Sequence, residues 1–249
     1  MELIENQGFT NKTYKDKQKN EFIKIKTYDG FNHKIDYTLL NIFPFCPKVK
    51  QNTSEKLVTD WIDGNTLSSQ NITDEQLTKI GKILITLHNS KQKFPKENQL
   101  ARRFKTYYKK ISELGKKVDV VNKYYNKLNL FVKNIDLSAP CHNDLWLFNM
   151  IENQNGIYLT DWEYASMGDV HFDLAYFIES SNLTPEQEKV FFKAYGDDYE
   201  EKYLLVHKII VNALFVLWNN SHIKNIFDDT PYNKRIEKYM KLYTEKYNQ

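Results

Sequence analysis

One stretch, residues 141 to 173, constrains this chain more than any other. It reads C-H-N-D-L-W-L-F-N-M-I, a short turn around Gly156, then I-Y-L-T-D-W-E-Y-A-S-M-G-D-V-H-F-D-L-A. Asp144 and Asn149 lie five apart in a loop between apolar runs, and Asp161 ends I-Y-L-T, a short predicted strand. That set is the equipment of phosphoryl transfer: one carboxylate orients and deprotonates a hydroxyl, while an amide and a second carboxylate hold Mg²⁺ against the nucleotide phosphates. Glu163 follows Asp161 by two residues. If extended geometry persists there, both carboxylates point one way, and two close carboxylates need a cation between them or a proton on one. His142 is expected to pack as scaffold under the loop. Asp173 is expected to be buried and to accept backbone N–H bonds from it.

Composition bounds the alternatives. The 249 residues carry 35 basic and 32 acidic side chains, net +3, too balanced to argue for nucleic acid or an anionic membrane. Only 8 glycines and 6 prolines leave little room for disordered linkers. Two cysteines, Cys46 and Cys141, supply neither a disulfide framework nor a zinc cluster and fit a reducing cytosol. The N-terminus lacks a basic region followed by an apolar stretch, so no signal peptide is expected. The most apolar segment, Ile209 to Trp218, contains Asn212 and falls short of the ~20 residues a membrane span needs; a buried core helix is expected.

Along the chain, G-F-T-N-K-T-Y at 8–14 reads as a turn-rich opening. E-F-I-K-I-K at 21–26 alternates like a strand with Phe22, Lys24 and Lys26 on one face. A strand lysine in a cleft can pair with phosphates; on a sheet edge it is simply solvated. Residues 33–43 suggest a short helix with Ile35, Leu39 and Ile42 on one side and Asp36 facing the strand lysine. K-L-V-T-D-W-I-D-G at 56–64 reads as a strand running into a turn. Thr73 with Gln76, and Thr184 with Gln187, have capping-box spacing. Two amphipathic helices broken near Gly115 fill 101–135, an apolar helix runs from about Tyr203 to Trp218, and a polar helix starts at Thr230. Strands gather early and helices late. This predicts an α+β, two-lobed chain, with residues 1–62 as a small strand-rich N-terminal lobe and 63–249 as a larger helical lobe.

The quoted central motifs, with T-D-W-E-Y-A at 160–165 and F-D-L-A at 172–175, resemble the choline/ethanolamine kinase branch of the aminoglycoside-phosphotransferase-like kinases. The resemblance implies a protein-kinase-like fold using ATP and Mg²⁺. It makes Asp144 the catalytic base, Asn149 and Asp161 the metal ligands, and Lys24 the α/β-phosphate contact. G-F-T-N-K-T-Y, with Thr10 and Asn11, looks like the family's nucleotide loop, and Asp60, Trp61 and Ile62 like the hinge on which adenine hangs. Asp36 stands where the family carries a glutamate partner for the lysine. For the acceptor, a quaternary ammonium has no N–H donors and needs aromatic faces and a carboxylate. The resemblance suggests Tyr164, Phe215 and Trp218 for the faces, and Glu163 and Glu179 for acidic contacts. Glu179 sits one residue earlier than the family spacing.

The expected activity is therefore transfer of the ATP γ-phosphate to the hydroxyl of choline or ethanolamine, by a cytoplasmic monomer or homodimer with no nucleic-acid or membrane partner. The alternatives are the same chemistry on an aminoglycoside, sugar or amino-acid alcohol, and a catalytically silent kinase-like binding module.

Overall fold

The computed structural model describes residues 1–4, 11–97 and 99–247. The first sixty residues build one antiparallel sheet from β1 (Glu2–Leu3), β2 (Lys12–Asp16), β3 (Glu21–Ile25), β4 (Val49–Asn52) and β5 (Lys56–Asp60), in the order β1-β2-β3-β5-β4. In its register Lys24 stands between Thr13 of β2 and Leu57 of β5. It is therefore central, not a solvated edge. The turn expected at 8–14 gives way to β2 from Lys12 onward, because those residues pair with β3 across a tight turn in which Asn20 takes a positive φ of 53°. Residues 33–43 form a 3-10 turn at Tyr37–Ile42 rather than an α-helix. With three residues per turn the apolar face shifts, and Ile42 is left 58% exposed while Ile35 and Leu40 are buried.

Past β5 the chain passes through β6 (Asn65–Thr66) into helices. Gly64 is required at this crossing, since a Cβ there would stand 2.5 Å from the Glu152 carbonyl oxygen. Helix α1 (Asp74–His88) starts on the Thr73–Gln76 capping box, and α2 (Leu100–Glu113) and α3 (Asp119–Lys133) flank the Gly115 break. Then come β7 (Ala139–Cys141), the hairpin β8 (Met150–Asn153) and β9 (Gly156–Leu159), and β10 (Ser166–Gly168), which pairs back on β7. Helices α4 (Val170–Ser181), α5 (Pro185–Tyr195), α6 (Glu201–Asn220) and α7 (Thr230–Tyr247) complete the chain.

Helix α6 is the one described helix long and apolar enough to cross a membrane, but 78% of its apolar window is buried inside the protein. It is the axis of the helical core, packed by α4, α7, α2 and α3. A helix apolar all round needs such a surround.

Candidate active site

The loop from 142 to 149 joins β7 to β8, and α4 holds it. Asp173, fully buried, accepts the backbone N–H groups of His142 and Asn143, each at 2.7 Å, and lies 3.2 Å from His88 Nε2. Those bonds fix Asn143 at a φ of +65°, a conformation few residues other than glycine adopt without such support. His142 is spent on structure. Its Nε2 faces the Thr160 carbonyl at 2.9 Å, and a carbonyl only accepts, so Nε2 carries the proton. Nδ1 then accepts the Asp144 N–H at 3.2 Å. Burial pushes the His142 pKa down, which disfavours a charged ring beneath the loop.

The loop brings Asp144 and Asn149 together. One Asp144 oxygen accepts the Tyr176 hydroxyl at 2.5 Å, and Asn149 Nδ2 donates to the Asp144 carbonyl at 3.0 Å. That bond turns the amide oxygen of Asn149 the other way, toward the cleft. Burial first and the Asp161 charge second raise the Asp144 carboxyl to about 6, against the opposing pull of Tyr176, Arg103 and Lys24.

Asp161 lies two residues beyond β9 in the left-handed region, with φ 61° and ψ 54°, and a 3-10 turn at Trp162–Tyr164 follows. Strand alternation therefore stops before it, and Asp161 and Glu163 do not project together as the extended pattern predicts. Asp161 faces a cleft of about 900 Å³ between the sheet and the hairpin, lined also by Lys24, Asn149, Asn11, Asp60, Trp61 and Ile62. Its carboxylate pairs with the Lys24 ammonium. Burial works against that ammonium, but Asp161 and Glu163 outweigh it and the Lys24 pKa rises. Glu163 is turned inward. It accepts Asn11 Nδ2 at 2.5 Å and stands 3.3 Å from His33 Nε2. Burial and Asp161 raise the Glu163 carboxyl, while burial and Lys24 lower His33 to about 4; the proton between them belongs on Glu163. This leaves Glu163 a buried brace, not the acceptor-side contact expected. Thr10 lies outside the described residues.

Asp36 is the clearest displacement. It caps the 37–42 turn, accepting from Thr38 N at 3.0 Å and Asn52 Nδ2 at 3.2 Å, and is exposed. Lys24 takes Asp161 instead, because the 3-10 turn aims Asp36 at its own backbone.

On the other side of Asp144 is an aromatic cluster. Trp146 lies against Phe215 of α6 (centroids 4.9 Å), edge-on to Tyr176 of α4 (5.9 Å) and parallel to the half-exposed Phe148 (5.3 Å). Phe215 also meets Tyr176 at 5.0 Å and Tyr232 of α7 at 5.2 Å. Of the expected aromatic residues only Phe215 is in this cluster. Trp218, one turn on, packs against His222 and Phe227. Tyr164 points elsewhere: the Arg103 guanidinium covers its ring at 4.2 Å, and its hydroxyl donates to Asp29 at 2.7 Å. A face already holding a cation has none left for a substrate ammonium. Glu179 is 2% exposed and bound by Asn212 (2.8 Å), Tyr239 (2.9 Å) and Arg235 (3.2 Å). Its charge is neutralised in the α4–α6–α7 seam, so it is not the acidic partner expected. Trp146 and Tyr176 were missed by motif reasoning, although Trp146 sits two residues from Asp144 and Tyr176 one helical turn from Asp173.

Comparison with known proteins decides the family. The profile of the choline/ethanolamine kinases matches residues 27–240. The chain belongs to the choline/ethanolamine kinase family. A LicA homolog of Metamycoplasma hominis is 63% identical over 237 residues, 95% of each chain. A LicA homolog of Mycoplasma capricolum is 39% identical, covering 96% of this chain and 98% of its own. The crystal structure of choline kinase LicA from Streptococcus pneumoniae superposes with a TM-score of 0.74 at 23% identity, over 98% of this chain and 94% of that one. Spectinomycin phosphotransferase APH(9)-Ia, solved with ADP and spectinomycin, superposes with a TM-score of 0.57 at 17% identity over 95% and 88%. The fold is protein-kinase-like, and this choline/ethanolamine kinase family member is a small-molecule kinase, a phosphotransferase acting on an alcohol.

Proposed function

We propose that the chain transfers the γ-phosphate of ATP to the hydroxyl of choline. The observation that carries this is the juxtaposition of Asp144 with the rings of Trp146, Tyr176 and Phe215. A carboxylate able to take a hydroxyl proton stands next to polarizable faces suited to a trimethylammonium group. The cluster offers an ammonium little to accept N–H bonds, which favours choline over ethanolamine, whose three N–H donors would lose water without replacement. An aminoglycoside, with several ammonium groups, needs several free carboxylates; Glu179 and Glu163 are both already engaged.

In this reading Asp144 Oδ receives the hydroxyl proton as the choline oxygen attacks the γ-phosphorus and ADP departs. Tyr176 and Asn149 orient the base. Lys24 moves from Asp161 onto the α/β-phosphates when nucleotide enters. The backbone N–H groups of Asp60 and Trp61 are already bonded to Lys48 O and Asn20 O, so adenine finds its donor at Ile62. The Asn149 amide oxygen and the Asp161 carboxylate are hard oxygen donors and fit Mg²⁺, which neutralises phosphate charge when bound. Residues 1–62 act as the nucleotide lobe and 63–249 as the acceptor lobe. Both cysteines are buried free thiols, consistent with work in the cytosol.

Nucleotide-coupled turnover with choline, ethanolamine and an aminoglycoside side by side tests the proposal. Choline is expected to give the highest kcat/KM, and turnover of neither amino alcohol sinks it. Trp146→Ala should raise the choline KM roughly tenfold, the scale of one lost cation–π contact of about 1–2 kcal/mol, with little change in the KM for ATP.

A further inference from the structure

Three buried titratable side chains at the N-terminal ends of α4 and α6 have no part in phosphoryl transfer: Asp169, His171 and His207. One ligating atom from each lies within 4.8 Å of the others. Hydrogen-bond accounting fixes their protons. His171 Nε2 accepts the Glu200 N–H at 2.8 Å, so its Nδ1 carries hydrogen and donates to Asp169 Oδ1 at 2.6 Å. That oxygen also accepts the His171 backbone N–H at 3.0 Å, leaving Oδ2 to face His207. His207 Nδ1 stands 2.8 Å from the Tyr203 carbonyl and must donate to it. Burial lowers the His207 pKa and favours the neutral ring, in which Nε2 presents a bare lone pair. That nitrogen is buried, has no hydrogen-bond partner, and lies 3.4 Å from Asp169 Oδ2. Two electron-rich atoms facing each other away from water repel unless a cation lies between them.

We propose that Asp169 Oδ2 and His207 Nε2 are the protein ligands of a zinc ion, with His171 holding the carboxylate in place. Two ligands about 2.1 Å from a tetrahedral zinc stand about 3.4 Å apart, which matches the gap observed. A backbone-bonded Nδ1–H on the ligating histidine, and a second histidine bracing the carboxylate, are the outer-shell supports such ligands need. Water fills the remaining positions, so binding is weaker than at a site with four protein ligands. The ion would tie the N-cap of α4 to α6. Helix α4 also carries Asp173 and Tyr176, so the tie braces the element beneath the Asp144 loop.

The test uses the full chain, stripped with chelator, dialysed against Zn²⁺ without nucleotide and assayed for metal content. One equivalent of zinc and a Tm several degrees higher at pH 7.5 are expected. Co²⁺ should give the intense visible bands of a tetrahedral site. His207→Gln and Asp169→Asn should lose both the metal and the Tm gain, while Asp161→Asn, in the nucleotide cleft, should keep both. The proposal fails if dialysed wild-type protein retains no zinc, or if His207→Gln retains as much. It also fails if the metal-free protein gains stability below pH 6 through His207 alone, which would make a proton the occupant. Should a variant not fold, the Co²⁺ spectrum of the wild type still decides, since octahedral bands would overturn the assignment.

Discussion

Asp144 is held in a state that suits a base and costs stability. Its carboxyl is raised from 3.8 to about 6 by burial and by Asp161. A raised folded-state pKa means that ionisation disfavours the fold: the penalty is absent below the unfolded value, grows as pH rises through 6, and is complete at pH 8. Asp144→Asn removes that charge and keeps the Tyr176 hydrogen bond. The variant should lose roughly 10²–10⁴-fold in kcat, the usual scale for a general base. It should also melt above wild type at pH 8, with the difference gone by pH 3. Calorimetry at the two pH values checks the sign, and an equal or lower Tm at pH 8 would refute the strained-base picture. In the active enzyme, kcat/KM should fall on the acid side with an apparent pKa near 6.

At the scale of elements, α4 positions the chemistry. It places Asp173 under the loop and Tyr176 one turn further on, against Asp144. Asp173→Asn keeps one oxygen to accept from one backbone donor and sets an amide NH2 against the other of the two that the carboxylate now satisfies. Charged hydrogen bonds of this kind contribute about 1.5–3 kcal/mol each, so the Tm should drop by many degrees. In whatever folds, kcat should fall more than either KM changes, as steady-state kinetics would show. Elements of this sort were legible in the sequence where local chemistry dominates. The Thr73–Gln76 and Thr184–Gln187 capping boxes both form, and the loop carrying Asp144 and Asn149 lies between β7 and β8. What escaped depends on distant partners. The strand β2 is polar and becomes a strand only by pairing with β3. Asp36 has the right spacing to face Lys24, but the 3-10 turn redirects it. Tyr164 stands in the right motif, yet a cation from α2, 61 residues earlier in the chain, sits on its face. Trp146 was visible as a residue and not as a site, because only folding brings Phe215 and Tyr176 against it.

Across the whole molecule, a set of polar ties joins the N-terminal part to the segment that follows β9. Lys24 pairs with Asp161, Asn11 and His33 meet Glu163, and Asp29 accepts Tyr164. Of these ties, the Lys24–Asp161 pair lines the cleft, and in the proposed reading Lys24 exchanges that carboxylate for phosphates as nucleotide enters. A ligand that binds only the folded state stabilises it by RT ln(1 + [L]/Kd), about 2.7 kcal/mol at a hundredfold excess over Kd. MgATP should therefore raise the Tm of the wild type clearly. Lys24→Met keeps the buried stem and deletes the charge. Without ligand it leaves Asp161 unpaired beside Glu163 and Asp144, so the basal Tm should fall; with MgATP the remaining increment should be small, because the phosphates lose their cation. Trp146→Ala, on the acceptor side, should show a full MgATP increment. Thermal melts of the three proteins with and without MgATP separate these cases. If Lys24→Met gained as much from MgATP as the wild type does, the lysine would be a brace between sheet and core and not a nucleotide contact.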